Sequence, residues 1–454
     1  MTSPAPKFQE DYSAKIPALT LLTNLGWDFL SPEQALLARG GKVDEVVLRE
    51  LLRAELKKRT FSFAGKNLPL SDKSIDNLIA ELCSPALNEG LLTANERLYN
   101  HLLYGISVTE FVDGKKANPT IALIDWQNPS NNSFVLTEEF TVTRAGGIES
   151  RRPDIVCFVN GIPLVVIEAK RPDGNAKKGP TIDEGISQSL RNQRHDEIPL
   201  LFTYSQLLLS INGNEGRYGT CGTPMKFWAA WREEDISDAE MYAIKNKSLS
   251  NEQLANLFNH RPVADMEWYR SLIGGGELAV TGQDQLLISL LSPARLLEMT
   301  RFFTLFDKKS GKIVARYQQV FGIKRLIERI NTRNPAGGRE GGVIWHTTGS
   351  GKSFTMVFLS KALILHDSLK QCRIVVVTDR VDLENQLSKT FASGGELAGK
   401  KDKEAAMATS GKRLAEQIGK GTERIIFSLI QKFNIATKLP ECVNNSPDII
   451  VLID

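Results

Sequence analysis

Long apolar runs are missing from this sequence. No stretch approaches the roughly 18 uninterrupted apolar residues a membrane helix needs, so no helical membrane span is expected. The opening residues Met1-Thr-Ser-Pro-Ala-Pro-Lys7 lack an apolar core behind a basic start, so no secretory signal is expected either. Cysteine is scarce: five in 454 residues, at positions 83, 157, 221, 372 and 442. No two of them have zinc-site spacing, and a disulfide framework is not expected in a chain this long. An excess of one charge is also absent, because 56 Lys and Arg against 53 Asp and Glu leave only +3 at pH 7. A surface given over wholly to phosphate would be more basic, so any nucleic-acid role must come from local sites. There is no internal repeat. What is present is 42% hydrophobic and 24% charged residues, enough to bury real cores. The length suggests two to four domains. Together these features predict a soluble, reduced, cytoplasmic protein.

The hydrophobic period changes along the chain. Residues 31–103 read mainly as helix, with leucines recurring at three and four around Val46–Leu52. From Gly105 short strands are expected at Ile121–Asp125, Ser133–Thr137, Glu139–Thr143, Asp154–Val159 and Leu164–Ile167. Asn160-Gly161 between the last two is a hairpin signal. A helix is expected near Asp183–Arg194, then the apolar run Leu207–Ile211. Leu278–Phe306 reads as helix. Beyond it, apolar runs at Gly342–Trp345, Arg373–Thr378, Ile425–Phe427 and Asp448–Ile453 alternate with helices, the pattern of a parallel sheet. The stretch Ala392–Gly411 reads as an exposed excursion. The expected organisation is two domains, 1–259 and 260–454.

Trp345-His-Thr-Thr-Gly-Ser-Gly-Lys-Ser353 lies between an expected strand and an expected helix, the setting of a phosphate loop. Small residues let backbone N–H groups turn toward phosphate oxygens, and the helix N-terminus adds positive potential. Lys352 can reach the β- and γ-phosphates of ATP, and the Ser353 hydroxyl can ligate Mg²⁺. His346 stands where the strict pattern has glycine. The remaining core, Thr348, Gly349, Ser350, Gly351, Lys352 and Ser353, matches the variant found in superfamily 2 helicases. Asp454 ends an apolar run, the place of a second Mg²⁺-holding acid, or else is simply a solvated acid.

Pro153-Asp154, thirteen residues, then Glu168-Ala169-Lys170 fits the PD-(D/E)xK pattern of metal-dependent phosphodiester hydrolysis. Asp154 and Glu168 supply hard oxygen ligands for Mg²⁺, with the Ala169 carbonyl as a third. Lys170, two residues from Glu168 and so on the same strand face, can orient water or stabilise developing charge. Register decides the matter. A plain two-residue turn at Asn160-Gly161 pairs Asp154 with Ile167 and leaves Glu168 on the other face. A site requires an odd-length loop or a bulge near Gly161–Pro163. Pro163 cannot donate to a ladder and is compatible with one. The competing reading is an ordinary hairpin with a solvated acid and a surface Glu–Lys pair.

These blocks resemble a known family. Arg152–Lys170 looks like the nuclease motif of type I restriction enzyme R subunits (HsdR). Arg316-Tyr-Gln-Gln319 resembles their adenine-reading glutamine motif, with Gln318 as the adenine contact. Trp345–Ser353, Val377–Gln386 and Ser428–Phe433 resemble their motor motifs. The order and spacing of the blocks cover most of the chain from about residue 95 onward. The resemblance implies an α/β chain: a PD-(D/E)xK nuclease-like domain followed by the first RecA-like, superfamily 2 motor domain. It implies ATP and Mg²⁺ as cofactors, ATP-driven translocation of double-stranded DNA, and cleavage away from the recognition site. It also implies methyltransferase and specificity subunits as partners, which supply target recognition. The same resemblance makes this an N-terminal fragment of a longer subunit, truncated at motif II.

One departure concerns the helix after Lys170. Related nucleases carry Gln-x-x-x-Tyr there; this chain has Gln188-Ser-Leu-Arg-Asn192. Gln188 retains a DNA-backbone or metal-water role in this reading, while Asn192 replaces the tyrosine. Lys177, Lys178, Arg191 and Arg194 either neutralise phosphates or form a solvated face.

Overall fold

The computed structural model describes residues 9–172, 181–307, 309–345, 347, 351–369, 371–379 and 406–453. They fall into two units, Met1–Arg301 with Gly311–Val314, and Phe302–Ser310 with Ala315–Asp454. The expected boundary at 259/260 lies within the first unit.

The first unit is built on six strands: β1 (Asp28–Leu30), β2 (Phe134–Glu138), β3 (Ile155–Val159), β4 (Ile162–Ala169), β5 (Leu207–Ile211) and β6 (Gly216–Gly219). They lie in the sheet in chain order. The β1/β2 and β4/β5 pairs are parallel and the other three antiparallel. Every residue of β2, β3, β4 and β5 is buried, as expected of strands covered on both faces. The unit's helices include α1 (Arg49–Lys57), α2 (Thr181–Asn192), α3 (Pro199–Tyr204), α4 (Gly282–Leu291) and α5 (Pro293–Phe302).

The β3–β4 hairpin turns at Asn160 and Gly161, both with positive φ (52° and 82°), as a tight two-residue turn requires. A Cβ on Gly161 would stand 2.6 Å from the Leu48 carbonyl oxygen, so only glycine lets the turn press against the start of α1. Asn160 is fully buried. Its Oδ1 accepts from Ser133 N–H at 2.8 Å and its Nδ2 donates to the Leu123 carbonyl at 2.9 Å.

The second unit contains α6 (Tyr317–Asn331), α7 (Lys352–Leu365), β7 (Arg373–Thr378), α8 (Gly411–Lys420), β8 (Ile425–Leu429), α9 (Ile430–Ala436) and β9 (Ile449–Ile453). Its sheet is parallel with order β8-β7-β9. Val375, Val377, Leu414, Ile418 and Ile426 form its core between strands and helices.

Several sequence expectations need correction. Gly342–Trp345 is not a strand. Val343 and Trp345 are 95% and 91% exposed, and an apolar run without a partner edge forms no ladder. The expected Ile121–Asp125 strand pairs only at Thr120–Ile121, because the Asp125 carboxylate accepts from Gln127 and Asn128 N–H and makes a turn. Glu139 has φ 52°, which breaks the expected Glu139–Thr143 strand and leaves only Val142–Thr143. The single helix expected over 278–306 is two, since Ser292 before Pro293 takes extended backbone (ψ 131°). Most of the Ala392–Gly411 stretch lies outside the described residues.

Candidate functional site

The β3–β4 hairpin carries a bulge. Val159 pairs with Ile162 and Phe158 with Pro163, but Cys157 pairs with Val165, so Leu164 is the extra residue. From there Ile155 faces Ile167, and the next step outward sets Asp154 level with Glu168. This is the register the acidic pair requires. The bulge residue keeps its backbone bonded, since its carbonyl accepts from Gln206 N–H at 2.7 Å.

The three signature side chains converge. Asp154 Oδ2 accepts from Ala169 N–H at 2.8 Å and lies 3.4 Å from Lys170 Nζ. Lys170 Nζ also donates to the Ala169 carbonyl at 2.7 Å, so that oxygen already has a partner. Glu168 is fully buried, with the Asp154 carboxylate near enough to act on it. Burial first, and then the Asp154 carboxylate, push the Glu168 carboxyl well above the ordinary carboxylate range, against the opposing pull of Lys170. Burial pulls the Lys170 ammonium down, but Asp154, Glu168 and Glu10 together outweigh it and hold it above the usual lysine value.

Helix α2 supplies the next contacts. Gln188 Nε2 donates to Glu168 Oε2 at 2.6 Å, and Asn192 Nδ2 donates to Glu168 Oε1 at 3.4 Å. The helix comes this close because Gly185 has no side chain; a Cβ there would stand 2.3 Å from Ser210 Oγ on β5. Arg191 and Arg194 are exposed at the end of α2, while Lys177 and Lys178 lie outside the described residues.

Of the expected nucleotide site, Thr348, Gly349, Ser350 and Asp454 lie outside the described residues. Gly351 has φ 90°, a conformation glycine adopts freely, and opens α7 directly before Lys352 and Ser353. Gln318, at the start of α6, has a buried Oε1 with no partner among the described residues. Its neighbour Gln319 is placed differently. Gln319 Nε2 donates to the Gly351 carbonyl at 3.3 Å and to Thr355 Oγ1 at 3.1 Å, joining α6 to the first turn of α7.

Residues 7–227 match the family described as the type I restriction enzyme R protein N terminus. Residues 318–454 match the SWI2/SNF2 ATPase family. The type I restriction enzyme HindI endonuclease subunit of Haemophilus influenzae is 30% identical over 97% of this chain and 38% of its own length. The chain is an HsdR-like protein. A Methanocaldococcus jannaschii protein bearing the name of the MjaIXP endonuclease subunit is 28% identical over 96% of the HsdR-like chain and 39% of the relative. The chain thus spans less than two fifths of the length of these two relatives.

Three groups of the HsdR-like chain escaped the sequence reading. Glu10 Oε2 lies 3.8 Å from Lys170 Nζ; an isolated glutamate 144 positions before the signature gave no sign of this. Glu138 is buried beside the Asp154 loop, with its Oε1 accepting from Arg261 Nε at 2.7 Å and bonded to His260 Nε2 at 2.8 Å. Burial pushes this carboxyl up, but His260 and Arg261 outweigh that and hold it below its ordinary value. The next residue, Glu139, donates its N–H to the Asp154 carbonyl at 3.0 Å, so this ion-pair network anchors the segment that carries Asp154. Gln319 is the third: it stands in the glutamine motif, but its contact with the first turn of α7 was not foreseen.

A divalent cation fits the donor set. Two carboxyls lie together at a buried point, hard oxygen donors of the kind a divalent cation takes. The Asn192 Oδ1 beside them has no partner among the described residues. Among the described residues no cluster of three or more His, Cys, Asp or Glu is assembled, so two carboxylates would hold the ion and water or phosphate oxygen would complete its shell.

Proposed function

We propose that this chain is the N-terminal part of the ATP-dependent, DNA-translocating and DNA-cleaving subunit of a type I restriction-modification system. In this reading the first unit, residues 1–301 with 311–314, carries the PD-(D/E)xK endonuclease, and the second unit carries the first RecA-like motor domain. The observation that carries the reading is the convergence of Asp154, Glu168 and Lys170, made possible by the bulge at Leu164.

The chemistry is hydrolysis of a phosphodiester in double-stranded DNA. Asp154 and Glu168 would hold Mg²⁺, which supplies positive charge at the scissile phosphate. Gln188 holds the Glu168 carboxylate in place through its amide. Lys170, fixed by Asp154 and the Ala169 carbonyl, directs its ammonium toward the attacking water and the charge that develops on phosphate. Arg191 and Arg194 neutralise backbone phosphates. In the motor, Thr348–Ser353 take the phosphates of ATP, Ser353 and Asp454 take its Mg²⁺, and Gln318 meets the adenine. Methyltransferase and specificity subunits supply the target site, and the assembly works in the cytoplasm.

The test uses the full-length subunit assembled with those partners. Lys170→Ala is expected to abolish DNA cleavage and to leave DNA-stimulated ATP turnover within about a factor of two. Cleavage that persists in Lys170→Ala refutes the nuclease assignment.

A further inference from the structure

Asn192 sits one turn beyond Gln188 on the face of α2 that packs on the sheet. With only 1% of its surface exposed, its amide is divided between two tasks. The Nδ2 end donates to Glu168 Oε1, while the Oδ1 end is buried with no partner among the described residues. Buried amide oxygens are nearly always satisfied, so an orphan acceptor points to a missing donor. With Glu168 ionised, as a bound cation requires, this orientation is the favoured one, because turned over the amide would set oxygen against oxygen. Ionised Glu168 is also the form that binds a cation. With a cation bound, both carboxylates are ionised and neither can supply the missing donor. A water on a hard divalent cation can, because such ions keep part of their water shell and polarise its O–H bonds.

We propose that Asn192 is a positioning residue of the cation site, its Nδ2 orienting Glu168 and its Oδ1 accepting a hydrogen bond from a water bound to the ion. This rests on the metal-nuclease reading above and adds to it a residue that the signature motif does not contain. Asn192 acts through Glu168 and through water, so its removal weakens ion binding without removing a ligand. The expected loss is about 10- to 100-fold in affinity, the usual effect of an outer-shell change. The fold without metal should suffer little, because the substitution deletes an unsatisfied buried oxygen together with one long hydrogen bond to Glu168.

The experiment is calorimetric titration of Mn²⁺ into residues 1–454, with thermal unfolding in the absence of metal measured alongside. Wild type, Asp154→Asn and Asn192→Leu are compared. If Asn192→Leu does not fold, Asn192→Ala, which removes the same groups without bulk, is read in its place. Support is Mn²⁺ binding by wild type that Asp154→Asn abolishes, with the Asn192 variant 10- to 100-fold weaker and its metal-free unfolding temperature unchanged or raised. Binding by the Asn192 variant within twofold of wild type, while Asp154→Asn abolishes it, overturns the role of Asn192 and leaves the metal site standing. A drop in the variant's metal-free unfolding temperature that accounts for its lost affinity also overturns it, making Asn192 structural. Mn²⁺ binding that is absent in wild type, or indifferent to Asp154→Asn, overturns the metal site and this proposal together.

Discussion

Glu168 is a carboxyl in a place where a carboxylate is hard to keep. It is fully buried, faces Asp154, and is held by the amide of Gln188. Its folded value is raised, so without metal the folded chain holds a proton there that the unfolded chain releases at lower pH. Stability from this group is therefore complete below the ordinary glutamate range and is lost as pH rises through the raised folded value. Glu168→Gln should remove that decline, so that above neutral pH the metal-free variant unfolds at a higher temperature than wild type. The comparison is thermal unfolding across pH 5–9, roughly the range above the ordinary glutamate value. An unchanged pH dependence would show that Glu168 is ionised without metal. The same logic requires ion binding to release a proton and to tighten as pH rises. At this scale Asp154, Glu168 and Lys170 were legible because residue type and spacing alone define the signature. Glu10 and Glu138 were not, since ordinary polar residues far from it carry no local mark, and Asn192 was legible only as a replacement in the Gln-x-x-x-Tyr pattern, without its contact to Glu168.

At the scale of the element, the site depends on one inserted residue. The turn was readable, because Asn160 and Gly161 are the residues that tolerate positive φ. The bulge was readable only as a requirement. Leu164 is as apolar and as buried as its neighbours, so nothing in its chemistry sets it apart. Deleting Leu164 should restore the regular register, turn Glu168 to the opposite face from Asp154, and lower Mn²⁺ affinity by on the order of 100-fold or more. Far-UV circular dichroism would check that the sheet survives, and calorimetry would read the affinity. Retained affinity in the folded deletion variant would mean that the bulge does not set the site. Helix α2 was placed within two residues at each end by its period, and β7 was placed to the residue. Gly342–Trp345 has a strand's composition, but pairing is a tertiary event that composition does not report.

At the scale of the whole molecule, two family matches divide the chain much as its two units do: an R-protein N-terminal domain and an ATPase segment. Residues 260–301 belong by packing to the first unit. Trp27 Nε1 donates to the Leu291 carbonyl at 2.7 Å, and the Gln283 amide donates to the Ala14 carbonyl at 3.0 Å. The segment Gly311–Val314 belongs there too, since Lys312 Nζ is buried and donates to Asn95 Oδ1, the Ser205 carbonyl and Gln206 Oε1. Neither segment's placement could be foreseen from periodicity. The two proposed activities separate by mutation. In the assembled full-length enzyme, Lys352→Ala should abolish ATP turnover and with it cleavage at a distance, whereas Lys170→Ala should spare turnover. Parallel ATPase and cleavage assays decide this, and cleavage by Lys352→Ala at the wild-type rate would break the link between motor and nuclease.

The most direct test of the central claim is an anomalous difference map from crystals of this chain soaked in Mn²⁺. The account predicts a peak within coordination distance, about 2.0–2.6 Å, of oxygens from both Asp154 and Glu168, with Lys170 alongside. A map with no peak there, or with the two carboxylates on opposite faces of the hairpin, would contradict it.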